Sequence, residues 1–316
     1  MITIRPGRRL VELERSGVVE SAHTGHLVVL DPDGERRLSV GDPDQPIFGR
    51  SVLKPLQAVG LLRRGTVLGS SELALASASH SGSPQHRELI NAMLSADGLT
   101  ERDLECPPDL PIGIAELRDY LASGARESRL AMNCSGKHAA MLRCCLANGW
   151  PVSGYLDPSH PLQRGLADTV ADLSGEPIAA TGVDGCGAPL FAISLVGIAR
   201  AFSRIATAAV HSPEQRVAEA MRDHPELVAG IGRGPTRLMQ GVAGLIAKDG
   251  AEGVYGAALP DGGAVALKID DGASRAAERV VVVGLRALGV TAAVLDDLGT
   301  EAVLGGGEPV GAVRPS

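Results

Sequence analysis

Aromatic side chains are nearly absent from this chain of 316 residues, which contains 1 Trp, 3 Tyr and 3 Phe. The core must therefore consist mainly of Ala, Val, Leu and Ile. The shortage also argues against a protein that stacks single-stranded nucleic acid on aromatic platforms. The formal net charge of -7 argues against nucleic-acid and anionic-membrane partners, because both bind basic surfaces.

Long apolar runs and paired cysteines are also lacking. No run of about 18 uncharged apolar residues occurs, so we expect no membrane-spanning helix. The segment Met1-Ile-Thr-Ile-Arg-Pro6 lacks the apolar core of a secretory signal. The cysteines are sparse and odd in number, unlike a disulfide framework: Cys106, Cys134, Cys144, Cys145 and Cys186. We therefore expect a cytoplasmic, reducing setting.

The pattern of apolar residues predicts strands at both ends of the chain and helices between them. Strands are predicted in a hairpin over residues 27–40, at 241–247, 253–258 and 264–269, and in a hairpin of 301–303 with 309–313. Helices are predicted over residues 51–63, 70–79, 84–96, 135–147, 161–173, 189–208, 213–223 and 273–289. This order predicts an α+β fold, an antiparallel sheet flanked by helices in which the terminal segments meet.

The segment Arg50-Ser51-Val-Leu-Lys54-Pro55 carries the first chemical signal. A serine and a lysine three residues apart share one face of a helix, and Pro55 is tolerated only near a helix start. A neutral Lys54 amine can take the hydroxyl proton of Ser51, and free backbone N–H groups can hold an oxyanion. The alternative is an N-cap serine followed by a solvated lysine.

Two further stretches combine small polar residues with cysteine. Asn133-Cys134-Ser135-Gly136-Lys137-His138 opens an apolar helix, and Thr181-Gly-Val-Asp184-Gly-Cys186-Gly187 is rich in glycine. The two cysteines can share a soft metal such as zinc, although the alternative is a pair of small buried residues. Among the histidines we single out His80, because it lies between Ser79 and Ser81.

Taken together, these motifs resemble the L-asparaginase II family, the class 3 or rhizobial-type asparaginases. The resemblance also rests on Lys268-Ile-Asp-Asp-Gly272, and it runs from about residue 20 to the C-terminus. It implies hydrolysis of L-asparagine to L-aspartate and ammonia, by one two-lobed domain over residues 1–316. It further implies a fold similar to that of serine β-lactamases and serine-dependent glutaminases, and a homodimer with no nucleic-acid or membrane partner.

The resemblance also implies roles for individual residues. Two Ser–Lys pairs are implied, Ser51 with Lys54 and Ser79 with Lys268. About one zinc ion per chain, not necessarily essential for turnover, is implied with Cys134, Lys137 and Cys186 as ligands. The expected mechanism is attack by Ser51 on the side-chain amide, with Lys54 as base and Ser79 and Lys268 as a proton relay. Asp184 is expected to bind the substrate α-ammonium, and Arg50 or His80 its α-carboxylate.

Several alternatives stay open at this point. Ser79 can be the nucleophile instead of Ser51, since both serines have a partner lysine. The chain can be a glutaminase, another small amidase or a β-lactam-reactive protein, or a zinc-dependent amino-acid-binding protein without turnover. It also departs from the family pattern: Arg233-Gly-Pro-Thr236 stands where some members have a Tyr-Cys after the arginine.

Overall fold

The structure is a computed structural model that describes residues 3–316, so the first two residues of the range 1–316 lie outside it. The strands are β1 Arg8–Arg15, β2 Val18–Leu30, β3 Arg36–Val40, β4 Pro46–Phe48, β5 Ala180–Val183, β6 Pro189–Ser194, β7 Ile246–Gly250, β8 Val254–Ala258, β9 Ala264–Ile269, β10 Glu301–Gly305 and β11 Glu308–Pro315.

The helices between them form most of the middle of the chain. They are α1 Lys54–Arg63, α2 Ser70–Ala76, α3 Pro84–Ala96, α4 Ile114–Ala122, α5 Ser135–Ala147, α6 Pro161–Ser174, α7 Leu195–Ala206, α8 Pro213–Asp223, α9 Pro225–Val228, α10 Gly234–Gly241, α11 Ser274–Ala287 and α12 Val294–Gly299. Short 3-10 helices cover Arg50–Leu53, Glu101–Asp103 and Ala251–Gly253. No helix in the described part of the chain is long and apolar enough to cross a bilayer.

The terminal segments meet in one large antiparallel sheet, as predicted. Its strand order is β10-β11-β1-β2-β9-β8-β7, with β3 beside β2. The N-terminal strand β1 pairs with the C-terminal strand β11, where Leu13 lies opposite Val313. Both side chains are buried, because the alternating apolar residues of each strand face the same side of the sheet. The predicted α+β class is confirmed.

Helices cover both faces of the sheet at its centre. All six residues of β9 are buried, and neighbouring residues of a strand point to opposite faces. On one face, a Cβ at Gly284 of α11 would lie 2.5 Å from Val265. On the other face, a Cβ at Gly256, which pairs with Ala266, would lie 2.9 Å from Phe202 of α7. The sheet therefore lies between α7 and α11.

A second, smaller sheet corrects one prediction. The helix expected over residues 189–208 begins only at Leu195, because residues 189–194 form β6, between β4 and β5. Every residue of β6 is buried, and periodicity cannot separate a short buried strand from a buried helix. Similarly, the strand expected from residue 241 begins at Ile246, after α10. The helices α4, α9, α10 and α12 and the strands β1, β4 and β5 were not predicted.

Candidate active site

The predicted Ser51 helix begins with a 3-10 turn, and α1 proper starts at Lys54. Pro55 lies in the first turn of α1, as expected. Arg50, the first residue of the 3-10 turn, has a φ of 48°, a left-handed conformation that is strained for a residue with a side chain. Such strain costs about 1–3 kcal/mol and tends to occur at functional sites. Ser51 is half-buried next to it, whereas Lys54 is fully buried.

The buried Nζ atom of Lys54 makes three hydrogen bonds. Its Nζ donates to the backbone oxygen of Ala78 at 2.6 Å and to Ser79 Oγ and Cys134 Sγ at 3.0 Å each. A neutral amine has two N–H donors and one lone pair, so it can keep only two of these partners as acceptors. Ser79 carries a hydroxyl proton that it can donate to this lone pair. The geometry therefore allows Lys54 to act as a base toward Ser79.

The lysine–serine pairing differs from the one implied by the family resemblance. Ser79 is paired with Lys54, whereas Lys268 at the end of β9 donates its Nζ to the backbone oxygens of Glu252 and Ile269. The physical reason is that the helix predicted over residues 70–79 ends at Ala76. Beyond α2, the chain places the hydroxyl of Ser79 within hydrogen-bond distance of Lys54. Lys268 instead donates to the 3-10 turn that contains Glu252. Ser51 Oγ has no side-chain hydrogen bond to any residue within 3–316.

The thiol groups lie directly beside this pair. A Cβ at Gly136 would lie 2.6 Å from the backbone oxygen of Leu75, so the start of α5 packs closely on the end of α2. This contact places Cys134 next to Lys54. On the other side, Lys137 Nζ donates to Cys186 Sγ at 3.2 Å. All three side chains are buried.

Charge is distributed unevenly between the two thiols. The hydrogen bond from Cys134 holds the pKa of Cys186 well below its usual value, and Lys137 acts in the same direction. The same hydrogen bond, together with burial, raises the pKa of Cys134. For Lys137, burial opposes the charge, but the neighbouring cysteines and Asp184 outweigh it and raise its pKa. Lys137 therefore favours the thiolate form of Cys186, the form in which a cysteine binds a metal.

These residues form a suitable donor set for zinc. Two sulfurs and one amine nitrogen converge in a buried position, and zinc takes both kinds of ligand. Within residues 3–316, no three His, Cys, Asp or Glu side chains form a metal-binding group. A zinc ion at these cysteines would take the amine of Lys137, 3.2 Å from Cys186 Sγ, as a nitrogen ligand after loss of its proton.

Arg50 and Asp184 lie side by side at the open edge of the site. Arg50 Nε donates to Asp184 Oδ1 at 2.9 Å, and both side chains are mostly buried. Asp184 is held in the β5–β6 turn, where Gly187 has the positive φ of 85° that the turn requires. A cavity of about 450 Å³ opens beside Arg50, within the size range of small-molecule sites. Its other walls are Ile4, Phe48, Gly182, Val183, Leu190, Glu252, Lys268 and Asp270.

His80 is fully buried. It connects the segment Ser79–Ser81, called the serine segment below, to α5. Its backbone N–H donates to Asn133, and its Nε2 lies 2.9 Å from Ser135 Oγ. The Ser135 hydroxyl donates its own proton to Leu130, so Nε2 carries the proton of the imidazole and Nδ1 is an unpartnered acceptor. Burial, followed by nearby cations, keeps the pKa of His80 well below its usual value. A neutral ring with a bare Nδ1 suits an N–H group better than a carboxylate.

A buried charge cluster on β7 was missed by the sequence analysis. Lys248 is completely buried, and its Nζ donates to Asp249 Oδ1 at 2.7 Å. Arg233 binds the other oxygen of Asp249 at 2.7 Å. Burial lowers the pKa of Lys248 to about 8, and the charge of Lys54 acts in the same direction. The available signal was a Lys-Asp pair within a short apolar strand, where a charged residue needs a partner.

One protein family and several solved structures are similar to this chain. The family model described as L-asparaginase II matches residues 11–315, nearly the whole chain. Among solved structures, a β-lactamase from Mycobacterium bovis is similar at 14% identity and a TM-score of 0.44, over 87% of this chain and 95% of the other. No curated protein is detectably similar. The chain belongs to the L-asparaginase II family.

Proposed function

We propose that this protein hydrolyses L-asparagine to L-aspartate and ammonia by acyl transfer at the site around Lys54. One observation carries the proposal: a buried lysine is hydrogen-bonded to Ser79 Oγ and lies one helical turn from Ser51. Membership of the L-asparaginase II family supports an amide substrate. Together these features favour an amidohydrolase that uses serine and lysine.

The two serines have different environments, which suggests different roles. Ser51 is half-exposed, so a substrate can reach it, whereas Ser79 is 6% exposed and bound to Lys54. We assign Ser51 as the nucleophile that attacks the side-chain amide carbon. Its proton passes to Lys54 with Ser79 as relay, and then to the amide nitrogen, which leaves as ammonia. Water hydrolyses the resulting ester, while the backbone N–H of Ser51 is the candidate donor to the oxyanion.

The neighbouring Arg50 and Asp184 suit the head group of an amino acid. Its carboxylate and ammonium are attached to one carbon, so they need a cation and an anion close together. Arg50 and Asp184 provide this arrangement at 2.9 Å. We therefore assign the α-carboxylate to Arg50 and not to His80, whose free nitrogen is an acceptor. We assign the α-ammonium to Asp184.

We propose zinc as the cofactor, held by Cys134, Lys137 and Cys186. Bound there, zinc would supply a Lewis acid that orients the substrate. The chain's own part is to bring two sulfurs and one nitrogen together and to keep them dry. Lys54, which donates to Cys134, would connect the metal ligands to the serine pair.

Turnover of a substrate panel tests the proposed function, with ammonia release measured for the amides and ring opening followed by absorbance for a β-lactam. The panel contains L-asparagine, L-glutamine and a chromogenic β-lactam. We expect the highest kcat/KM with asparagine, although one methylene is worth only about 1–3 kcal/mol in discrimination. A clear preference for glutamine or the β-lactam would replace the substrate assignment. If the protein bound asparagine but released no ammonia, the proposed enzymatic function would be wrong and the protein would be an amino-acid-binding protein.

A further inference from the structure

The helix α9 and the loop that follows it to Arg233 lie directly on the serine segment. The backbone N–H of Ser79 donates to Val228 at 3.0 Å. Gly230 approaches so closely that a Cβ there would lie 2.6 Å from the Cβ of Ser81. Ser79 itself belongs to no helix or strand, so such contacts are what fix its backbone.

Arg233 binds the other side of the same residue. Its Nη1 donates to the backbone oxygen of Ser79 at 2.6 Å and, at 3.3 Å, to that of Ala229 in its own loop. Its Nη2 donates to Asp249 Oδ2 at 2.7 Å. The planar guanidinium therefore connects the peptide of Ser79 to a carboxylate on β7. The two acceptors, the Ser79 oxygen and the Asp249 carboxylate, are bound by N–H groups whose directions the rigid guanidinium plane fixes.

Asp249 is itself held in place by a second cation. Lys248 Nζ donates to its Oδ1 at 2.7 Å and to its backbone oxygen at 2.6 Å. The carboxylate is thus bound at both oxygens, by Arg233 and by Lys248. Because the carboxylate is fixed in this way, the guanidinium of Arg233 has little freedom to move away from the backbone oxygen of Ser79.

We propose that Arg233, anchored by Asp249, is a positioning residue that fixes the Ser79 peptide so that its hydroxyl stays on Lys54. The inference rests on the proposed role of Ser79 and adds a residue with no contact to the substrate. The hydroxyl group is only two bonds from the backbone that Arg233 holds. A misplacement of about 1 Å in an active site can lower the rate about 100-fold.

The chain offers a matched control for Arg233. Arg237, one turn further on, donates to Asp297 at 2.9 Å in an ion pair of similar length on the surface. It makes no contact with the serine segment. We expect Arg233→Ala to lower kcat about 10- to 100-fold while KM changes less than about twofold. Arg237→Ala should leave both values unchanged.

Two additional measurements separate positioning from a loss of fold. Guanidinium ion at millimolar concentration should restore part of the kcat of Arg233→Ala, because the cavity left behind accepts the same planar cation. The double variant Arg233→Ala/Asp249→Asn should lose about as much kcat as the worse single variant. The two losses should not add, because both substitutions break the same Arg233–Asp249 interaction. If Arg233→Ala does not fold, Arg233→Lys is measured instead. It keeps the charge but cannot connect both partners, so the same fall in kcat is expected.

Hydrogen exchange at the backbone amide of Ser79 tests the clamp without any substrate. We expect faster exchange at Ser79 in Arg233→Ala, and unchanged exchange in Arg237→Ala. A chain that releases no ammonia from asparagine would end the proposed function, but this exchange measurement would still test the clamp. Arg233→Ala with kcat within twofold of wild type and unchanged exchange at Ser79 would overturn the inference.

Discussion

Replacing Lys54 with methionine tests the core of the proposed site. Methionine has a flexible, unbranched side chain of similar length, so it can fill the space that the buried lysine leaves. The change removes the amine and all three of its hydrogen bonds, to Ala78, Ser79 and Cys134. If Lys54 is the base, the fold should survive and turnover should not.

The expected effects on rate and stability differ in size. Loss of a positioned general base lowers kcat about 10²- to 10⁴-fold, which is about 3 to 5 kcal/mol of transition-state stabilisation. The hydroxyl of Ser79 and the thiol of Cys134 can turn to other partners, whereas the oxygen of Ala78 stays unpaired at about 1–3 kcal/mol. Removal of a buried polar group, which no longer has to be desolvated on folding, offsets part of this loss. We therefore expect the free energy of unfolding to change by less than about 2 kcal/mol.

Steady-state ammonia release and thermal unfolding are measured on the same preparations. Lys54→Arg is the second arm of the experiment, since arginine keeps the positive charge but cannot be deprotonated. Both variants should lose at least about two decades of kcat. If a folded Lys54→Met or Lys54→Arg enzyme kept more than about a tenth of kcat, Lys54 would not be the base.

Three further outcomes are expected. Ser51→Ala should abolish turnover by several orders of magnitude without unfolding the protein; if instead it keeps about a tenth of the activity and Ser79→Ala is inactive, the nucleophile is Ser79. Protein purified without chelator should contain about one zinc ion, and Cys186→Ser should lose it; zinc affinity should fall as the pH drops, because the ligands must be deprotonated. Absence of zinc and of zinc uptake near pH 8 would contradict the site. Unfolded lysine keeps its proton up to about pH 10.4, whereas Lys248 loses it near pH 8. The unfolded state therefore binds more protons between these values, and stability relative to Lys248→Met should rise with pH there by up to about 3 kcal/mol. A flat difference would show that Lys248 has an ordinary pKa.

The sequence alone predicted the strands at both ends of the chain and the chemical groups of the site. Local turn chemistry identified both predicted hairpins, because Asp31-Pro-Asp-Gly34 and Gly305-Gly-Gly307 supply glycines that adopt the positive φ of a tight turn at no steric cost. The order of strands at both ends with helices between them then predicted that the terminal segments share one sheet, and the pairing of β1 with β11 confirms it. Motif spacing was sufficient to recognise the family, because its motifs occur in order along the chain.

Which lysine meets which serine was decided only by the tertiary structure. Spacing along one helix suggested Ser51 with Lys54, but the exit of the chain from α2 at Ala76 brings Ser79 onto that lysine. Lys268 belongs to a family motif, yet its amine donates to the backbone oxygens of Glu252 in a neighbouring 3-10 turn and of Ile269, the next residue. Arg233 was singled out only because the residues after it depart from the family pattern, and it meets Asp249 only where the loop after α9 reaches the end of β7. Local propensity fixes helices and turns within a few residues, whereas the partner of a buried charge is chosen by elements that are distant in the sequence.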